Sequence, residues 1–344
     1  IFKCCKSLKI LRINACRECL MSASKSILTF LNTLQYLKQQ ARYTLIDGNA
    51  LATLSALQDL KLESLMLQSC YQLTIEGIKG LTQYQTYLKI LDISFCVRIT
   101  DASLLCICKN LTKLETLRIK RCRAVTDKKN DLIEETTRKE NMRVLSANAL
   151  HLHEESVECI TKSFPNLRQL ELSYCFNGVT DKTIQMIFKE LVHLQTLKIS
   201  HCDEVSDAGL TGMVRLKCLQ ELDLSGCNRI TDVSLKHAFA FPELKILNLS
   251  QCQQITHIGL DYLSKNNPAI EYLNLNRCYN ISDIGISYLA QRLHRLKRLL
   301  IQGCSQLTDH TLDSIKLYCK SLHYLDTRYC RGMSVAGLQS LSHL

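Results

Sequence analysis

Apolar residues return along most of this chain in the order LxxLxLxxC, and the frame restarts every 25 to 28 residues. Leu88, Leu91, Ile93 and Cys96 fill it once; Leu219, Leu222, Leu224 and Cys227, then Leu296, Leu299, Ile301 and Cys304, fill it again. Three residues past the cysteine stands Ile, Leu or Val, usually followed by Thr-Asp or Ser-Asp, as in Ile99 to Asp101 and Leu307 to Asp309. Alternation at period two around LxL predicts a short strand with one buried face. Beyond it, Thr100 and Asp101 offer an oxygen acceptor and a negative charge where a helix begins, and Leu104, Ile107, Cys108 and Leu111 follow at helical spacing.

The ninth frame position falls at Cys16, Arg42, Cys70, Cys96, Cys122, Leu150, Cys175, Cys202, Cys227, Cys252, Cys278, Cys304 and Cys330, which makes thirteen repeats. Strand then helix, repeated in one direction, builds a parallel sheet backed by helices. A period of about 26 residues predicts an α/β leucine-rich-repeat solenoid, a curved horseshoe with strands on the concave face and helices on the convex face. One such domain is expected over residues 1–344. Irregular repeats are expected near 34–60, around Arg42, and near 128–157, where a charged stretch from Lys128 to Glu140 reads as a longer, solvated outer helix. Ile1 to Leu11 aligns with Ile315 to Leu325, and Val335, Leu338, Leu341 and Leu344 run helically to the last residue, so the chain is expected to be cut inside repeats at both ends.

A solenoid presents surface, so its default work is binding. Of nineteen cysteines, eleven occupy the ninth position and form a column of inward thiols, each able to donate weakly to a loop carbonyl. Their spacing provides no paired CxxC for zinc, and unpaired thiols suit a reducing compartment, the cytoplasm or nucleus. No run approaches the roughly 20 apolar residues that cross a bilayer, so no membrane partner is expected. The net charge of +11 invites a nucleic-acid reading, but the middle strand position carries Arg118 and Lys198 beside Asp92, Glu171, Asp223 and Asp326. A phosphate track needs one sign, which argues against nucleic acid. No GxxxxGK[ST], HExxH or GxSxG occurs, so no catalytic residue, cofactor or metal is expected. His151, His153, Glu154 and Glu155 come nearest to a ligand cluster, yet they lack a standard spacing and read as solvent-facing.

Strand periodicity turns the residue before the second leucine, the one inside LxL and the two after it toward the open face. In the last repeats these positions supply Tyr272, Arg277, Arg298, Tyr324, Arg328 and Tyr329, with Tyr174, Lys198 and His201 further back. Tyrosine and arginine bury large areas while keeping a polar handle, so this cluster is the first candidate for gripping a target protein. The basic run Arg118, Lys120 and Arg121 is the second.

LxxLxLxxC with a trailing [ILV][TS]D, as in CDEVSD from Cys202 to Asp207 and CYNISD from Cys278 to Asp283, resembles the cysteine-containing class of leucine-rich repeats. That class is best known from the F-box/LRR-repeat protein family. The resemblance implies repeats that capture a substrate while an N-terminal F-box docks a Skp-type adaptor and a cullin scaffold. No F-box stands in this chain, so those two partners would be reached only through an upstream module. The implied function is the non-catalytic substrate-recognition part of an SCF-type E3 ubiquitin ligase complex, directing targets to proteasomal degradation. The alternative is a scaffold or regulatory repeat protein that binds a signalling partner without recruiting a ligase.

Overall fold

The computed structural model describes residues 9–12, 61–125 and 138–341. They belong to two compact units, Ile1–Leu167 and Arg168–Leu344. Arg42 and the irregular repeat near 34–60, Cys16, and most of the charged stretch from Lys128 lie outside the described residues.

In the first unit the order is β1 (Ile10–Arg12), β2 (Ser64–Met66), α1 (Ile75–Tyr84), β3 (Ile90–Asp92), α2 (Asp101–Asn110), β4 (Thr116–Arg118), β5 (Val144–Ser146) and α3 (Glu154–Ser163). The second begins with β6 (Gln169–Glu171), α4 (Asp181–Glu190), β7 (Thr196–Lys198), α5 (Asp207–Leu210), a 3-10 turn (Met213–Arg215), β8 (Glu221–Asp223) and α6 (Asp232–His237). It continues with β9 (Ile246–Asn248), α7 (His257–Asn266), β10 (Tyr272–Asn274), α8 (Asp283–Arg292), β11 (Arg298–Leu300), α9 (Asp309–Tyr318), β12 (Tyr324–Asp326) and α10 (Val335–Gln339). Within each unit consecutive strands pair in parallel with no offset, so that Leu222, Leu247, Leu273 and Leu299 stand side by side. Most of the frame leucines in the described repeats are fully buried.

Each strand lasts three residues because the chain turns sharply just before the cysteine. Tyr174, His201, Gln251, Arg277 and Tyr329 all take φ between 54° and 63°, and Gly226 and Gly303 take 71° and 73° at the same position. For a residue with a Cβ that conformation is strained. It is held by bonds between repeats: His201 N–H donates to the Ser225 carbonyl at 2.7 Å, and Arg277 N–H to that of Gln302 at 2.7 Å. The turn throws these side chains onto the open face.

The cysteine column performs the task its chemistry suggested. Cys227, Cys252, Cys278, Cys304 and Cys330 each donate to a main-chain carbonyl of the preceding repeat, at 3.0 to 3.3 Å, and Cys96 and Cys122 do so in the first unit. Burial pushes the Cys278 thiol up to about 12, which keeps the proton it donates. None of the fifteen described cysteines forms a disulfide. At Leu150 the position is filled by a buried side chain without a donor.

The Thr-Asp pairs do more than cap a helix. Thr231 and Thr256 accept the N–H two residues on, as expected of a cap. The aspartates reach into the next repeat instead: Asp181 accepts from the Ser206 N–H (2.7 Å) and hydroxyl (2.5 Å), and Asp232 likewise from Thr256 (2.8 and 2.5 Å). Asp207, Asp283 and Asp309 repeat the arrangement with Thr231, Thr308 and Ser334. Where glycine follows, the carboxylate fills the space of a side chain, since a Cβ on Gly209 would lie 2.4 Å from the Asp181 carboxylate and one on Gly259 2.2 Å from that of Asp232; Ser234 and Thr311 hold the same position beside Asp207 and Asp283 and donate to them. His257 stands where the next aspartate would be, so the series skips one step.

Candidate partner-binding face

Four outward side chains of the second unit, Ile246, Tyr272, Arg298 and Tyr324, occupy the same position on β9 to β12 and lie in one lateral row. The Arg298 guanidinium sits over both neighbouring rings, 5.4 Å from the centroid of Tyr272 and 4.8 Å from that of Tyr324. A cation between two aromatic faces is held by the ring quadrupoles and needs no carboxylate. Tyr324 remains 45% exposed.

A second row follows from the left-handed turns. Arg277 points outward, and its neighbour in the next repeat, Gly303, has no side chain; a Cβ there would meet only the Cγ of Arg277, at 3.6 Å. One repeat further stands Tyr329, 77% exposed. Further back in the row, Tyr174 stacks on His201 with ring centroids 4.6 Å apart. Gly226 makes room for that imidazole, since a Cβ would fall 2.4 Å from its Nδ1.

Two of the predicted cations are spent internally. Arg328 grips Asp326 through Nε (2.9 Å) and Nη2 (2.7 Å), and the bond holds the Asp326 carboxyl below the usual range. Lys198 pairs with Glu221 at 2.6 Å and lies 3.9 Å from Glu171. Burial opposes its charge, but these carboxylates outweigh burial and raise its pKa. The expected mosaic of free charges along the strand middles needs correction. Asp92, Glu171 and Asp326 are 2%, 5% and 5% exposed, and Asp92 and Asp326, like Asp223, accept the N–H two residues on. An acid at the last strand residue is close enough to cap the turn that follows, and most of that carboxylate is withdrawn from the surface.

Three segments, residues 84–108, 191–214 and 215–236, match the family model described as Leucine Rich repeat. A search of curated proteins finds no match. The chain is similar in fold to one in the crystal structure of the Rad7 and Elc1 complex in yeast, with a TM-score of 0.67 and 20% identity over 93% of this chain and 81% of that one. It is also similar to an internalin (inlF) from Listeria monocytogenes, with a TM-score of 0.57 and 18% identity over 92% and 93% of the two chains. The fold is a leucine-rich-repeat solenoid. Such solenoids bind protein partners, and neither the family model nor these structures indicates an enzyme.

On the first unit of the solenoid, Arg118 and Lys120 are half-buried and Arg121 is exposed on its left-handed turn, its guanidinium 5.8 Å from the ring of Phe95. Of the basic run, Arg121 therefore has an aromatic ring beneath it. Phe95 and Ile246 were not among the sequence candidates. Both occupy frame positions that turn outward, and the frame would have found them had apolar residues been admitted alongside tyrosine and arginine. Among the described residues no three of His, Cys, Asp and Glu could together hold a metal ion, His151, His153, Glu154 and Glu155 included. None of the helices described is long and apolar enough to cross a membrane.

Proposed function

We propose that this solenoid captures a target protein on the open face of its strands and is the substrate-recognition part of an SCF-type E3 ubiquitin ligase complex, delivering the target for proteasomal degradation. The observation that carries the binding half is the cluster of exposed Arg277, Arg298, Tyr324 and Tyr329 with half-buried Tyr272, aromatic and cationic on one sheet. Arg328, held by Asp326, adjoins Tyr329 in the chain, and Arg118, Lys120 and Arg121 on the first unit are a second candidate surface. Rings fixed by neighbouring strands lose little entropy when a partner covers them, which is the character of a binding hot spot. The ligase half rests on the resemblance of the cysteine-containing repeats to the F-box/LRR-repeat family; a chain of similar fold also occurs in the two-protein complex of Rad7 and Elc1.

Recognition here is positioning. The repeats hold the target so that ubiquitin transfer elsewhere on the scaffold becomes effectively intramolecular. The Skp-type adaptor and the cullin would be reached only through an upstream F-box, in cytoplasm or nucleus. Co-precipitation of the full-length product with adaptor and cullin tests the ligase role. Recovery of both supports it; absence of both leaves a scaffold that binds a signalling partner without a ligase.

A further inference from the structure

We infer that the face formed by β9 to β12 receives an extended acidic segment of the partner protein, its carboxylates on Arg277 and Arg298 and one of its side chains in the slot over Gly303. This deepens the reading above and rests on it for the existence of a partner. The argument is charge complementarity. Of the basic side chains around this face, Arg328 is neutralised by Asp326, Lys297 by Glu271 and Lys198 by Glu221 and Glu171. Arg277 and Arg298 have no carboxylate within ion-pair distance among the described residues. Their charge is left for a ligand.

Each of the two is also prepared for an anion. Arg298 is fixed between two tyrosine rings, which orients a planar guanidinium without using its N–H donors. Arg277 lies beside the side-chain position that Gly303 leaves open, and Tyr329 follows one repeat further in the same row. Asn248 and Asn274 line the strand middles between the rows, so no acid repels a carboxylate there; the flanking acid, Asp326, is buried and paired. On the other side Glu221 and Asp223 of β8 end the favourable zone. Strands stand about 4.8 Å apart. An extended segment crossing from β9 to β12 therefore meets a new outward side chain about every one to two of its own residues.

The test uses fluorescence anisotropy with a labelled random copolymer of glutamate and tyrosine, and a lysine-tyrosine copolymer for comparison. The expected result is binding of the acidic copolymer alone, weakened at least about tenfold by Arg277→Ala with Arg298→Ala, since each lost charge pair at an interface is typically worth a factor of this order or more. Arg298→Lys keeps the charge but loses the planar stack, and recovers only part of the affinity. Gly303→Tyr fills the slot and weakens binding while both arginines remain; its left-handed backbone already accepts tyrosine at position 329. Lys217→Ala with Lys316→Ala removes equal charge from exposed positions off the strands and changes nothing. Equal loss in that control, or binding indifferent to the arginine pair, overturns the inference. Recovery of adaptor and cullin by a full-length product whose solenoid ignores the acidic copolymer would refute the partner chemistry and leave the ligase reading intact.

Discussion

Replacing Asp283 by alanine removes a carboxylate that accepts the Thr308 N–H at 2.9 Å, the Thr308 hydroxyl at 2.7 Å and the Thr311 hydroxyl at 2.6 Å. Hydrogen bonds to a charged group contribute about 1.5 to 3 kcal/mol each. Asp283 and Thr308 are half-buried, so water replaces part of what is lost, while the Thr311 hydroxyl is fully buried and loses its acceptor. The expected cost is therefore about 2 to 3 kcal/mol, less than the full sum. Urea unfolding followed by circular dichroism measures it, with Asp313→Ala, an exposed acid on α9, the helix that carries Thr311, as the control. Burial by itself would raise the Asp283 carboxyl, but the bonds from Thr308 and Thr311 outweigh burial and hold it below its ordinary value. The stabilisation is thus complete above the unfolded pKa of about 3.9 and disappears as pH falls through the lower folded value. The gap between wild type and variant should persist from pH 7 to pH 5 and close below about pH 4. A cost under about 0.5 kcal/mol, the size of an ordinary surface change, or an equal cost in the control, would show that the carboxylates do not tie repeat to repeat.

His257→Asp should supply the missing step to Ser282 and raise stability by about 1 kcal/mol in the same urea assay. Leu222→Ala, at a fully buried position, should cost about 2 to 5 kcal/mol, and a smaller loss would mean that this face is not the core. Thiol labelling of the native protein should reach Cys218, the exposed one among the described cysteines, long before the buried column; under denaturing, non-reducing conditions all nineteen should react. Tyr329→Ala should change the unfolding free energy by less than about 0.5 kcal/mol while weakening capture of the target, and loss of fold would show the strand faces to be misassigned.

Legibility of the site in the sequence was uneven. Tyr272, Arg298 and Tyr324 were read correctly as outward neighbours, because a strand alternates and the frame repeats without offset. Their mutual stacking was not legible, since it depends on side-chain reach between strands 52 residues apart in sequence at the extremes. Arg277 and Arg328 look alike as residues shortly before a cysteine. One remains charged on the surface, and the other is folded back on Asp326, a difference fixed by which acid lies two residues away and how the turn aims it.

The period of the apolar residues was enough to determine parallel strands, helices behind them and a column of inward cysteines. In a solenoid each repeat packs only on its neighbours, so the information for the fold is local and recurs. The tertiary structure alone decided where the polar bonds go. In the second unit the aspartates at 181, 207, 232, 283 and 309 serve the repeat after their own, and residues such as His201 and Arg277 turn left-handed where their N–H bonds to the loop after the next strand, about 25 positions away. Hydrogen bonds and ion pairs are set by distances across repeats, to which a hydrophobic pattern is blind, and those distances decide which arginines are left to meet a partner.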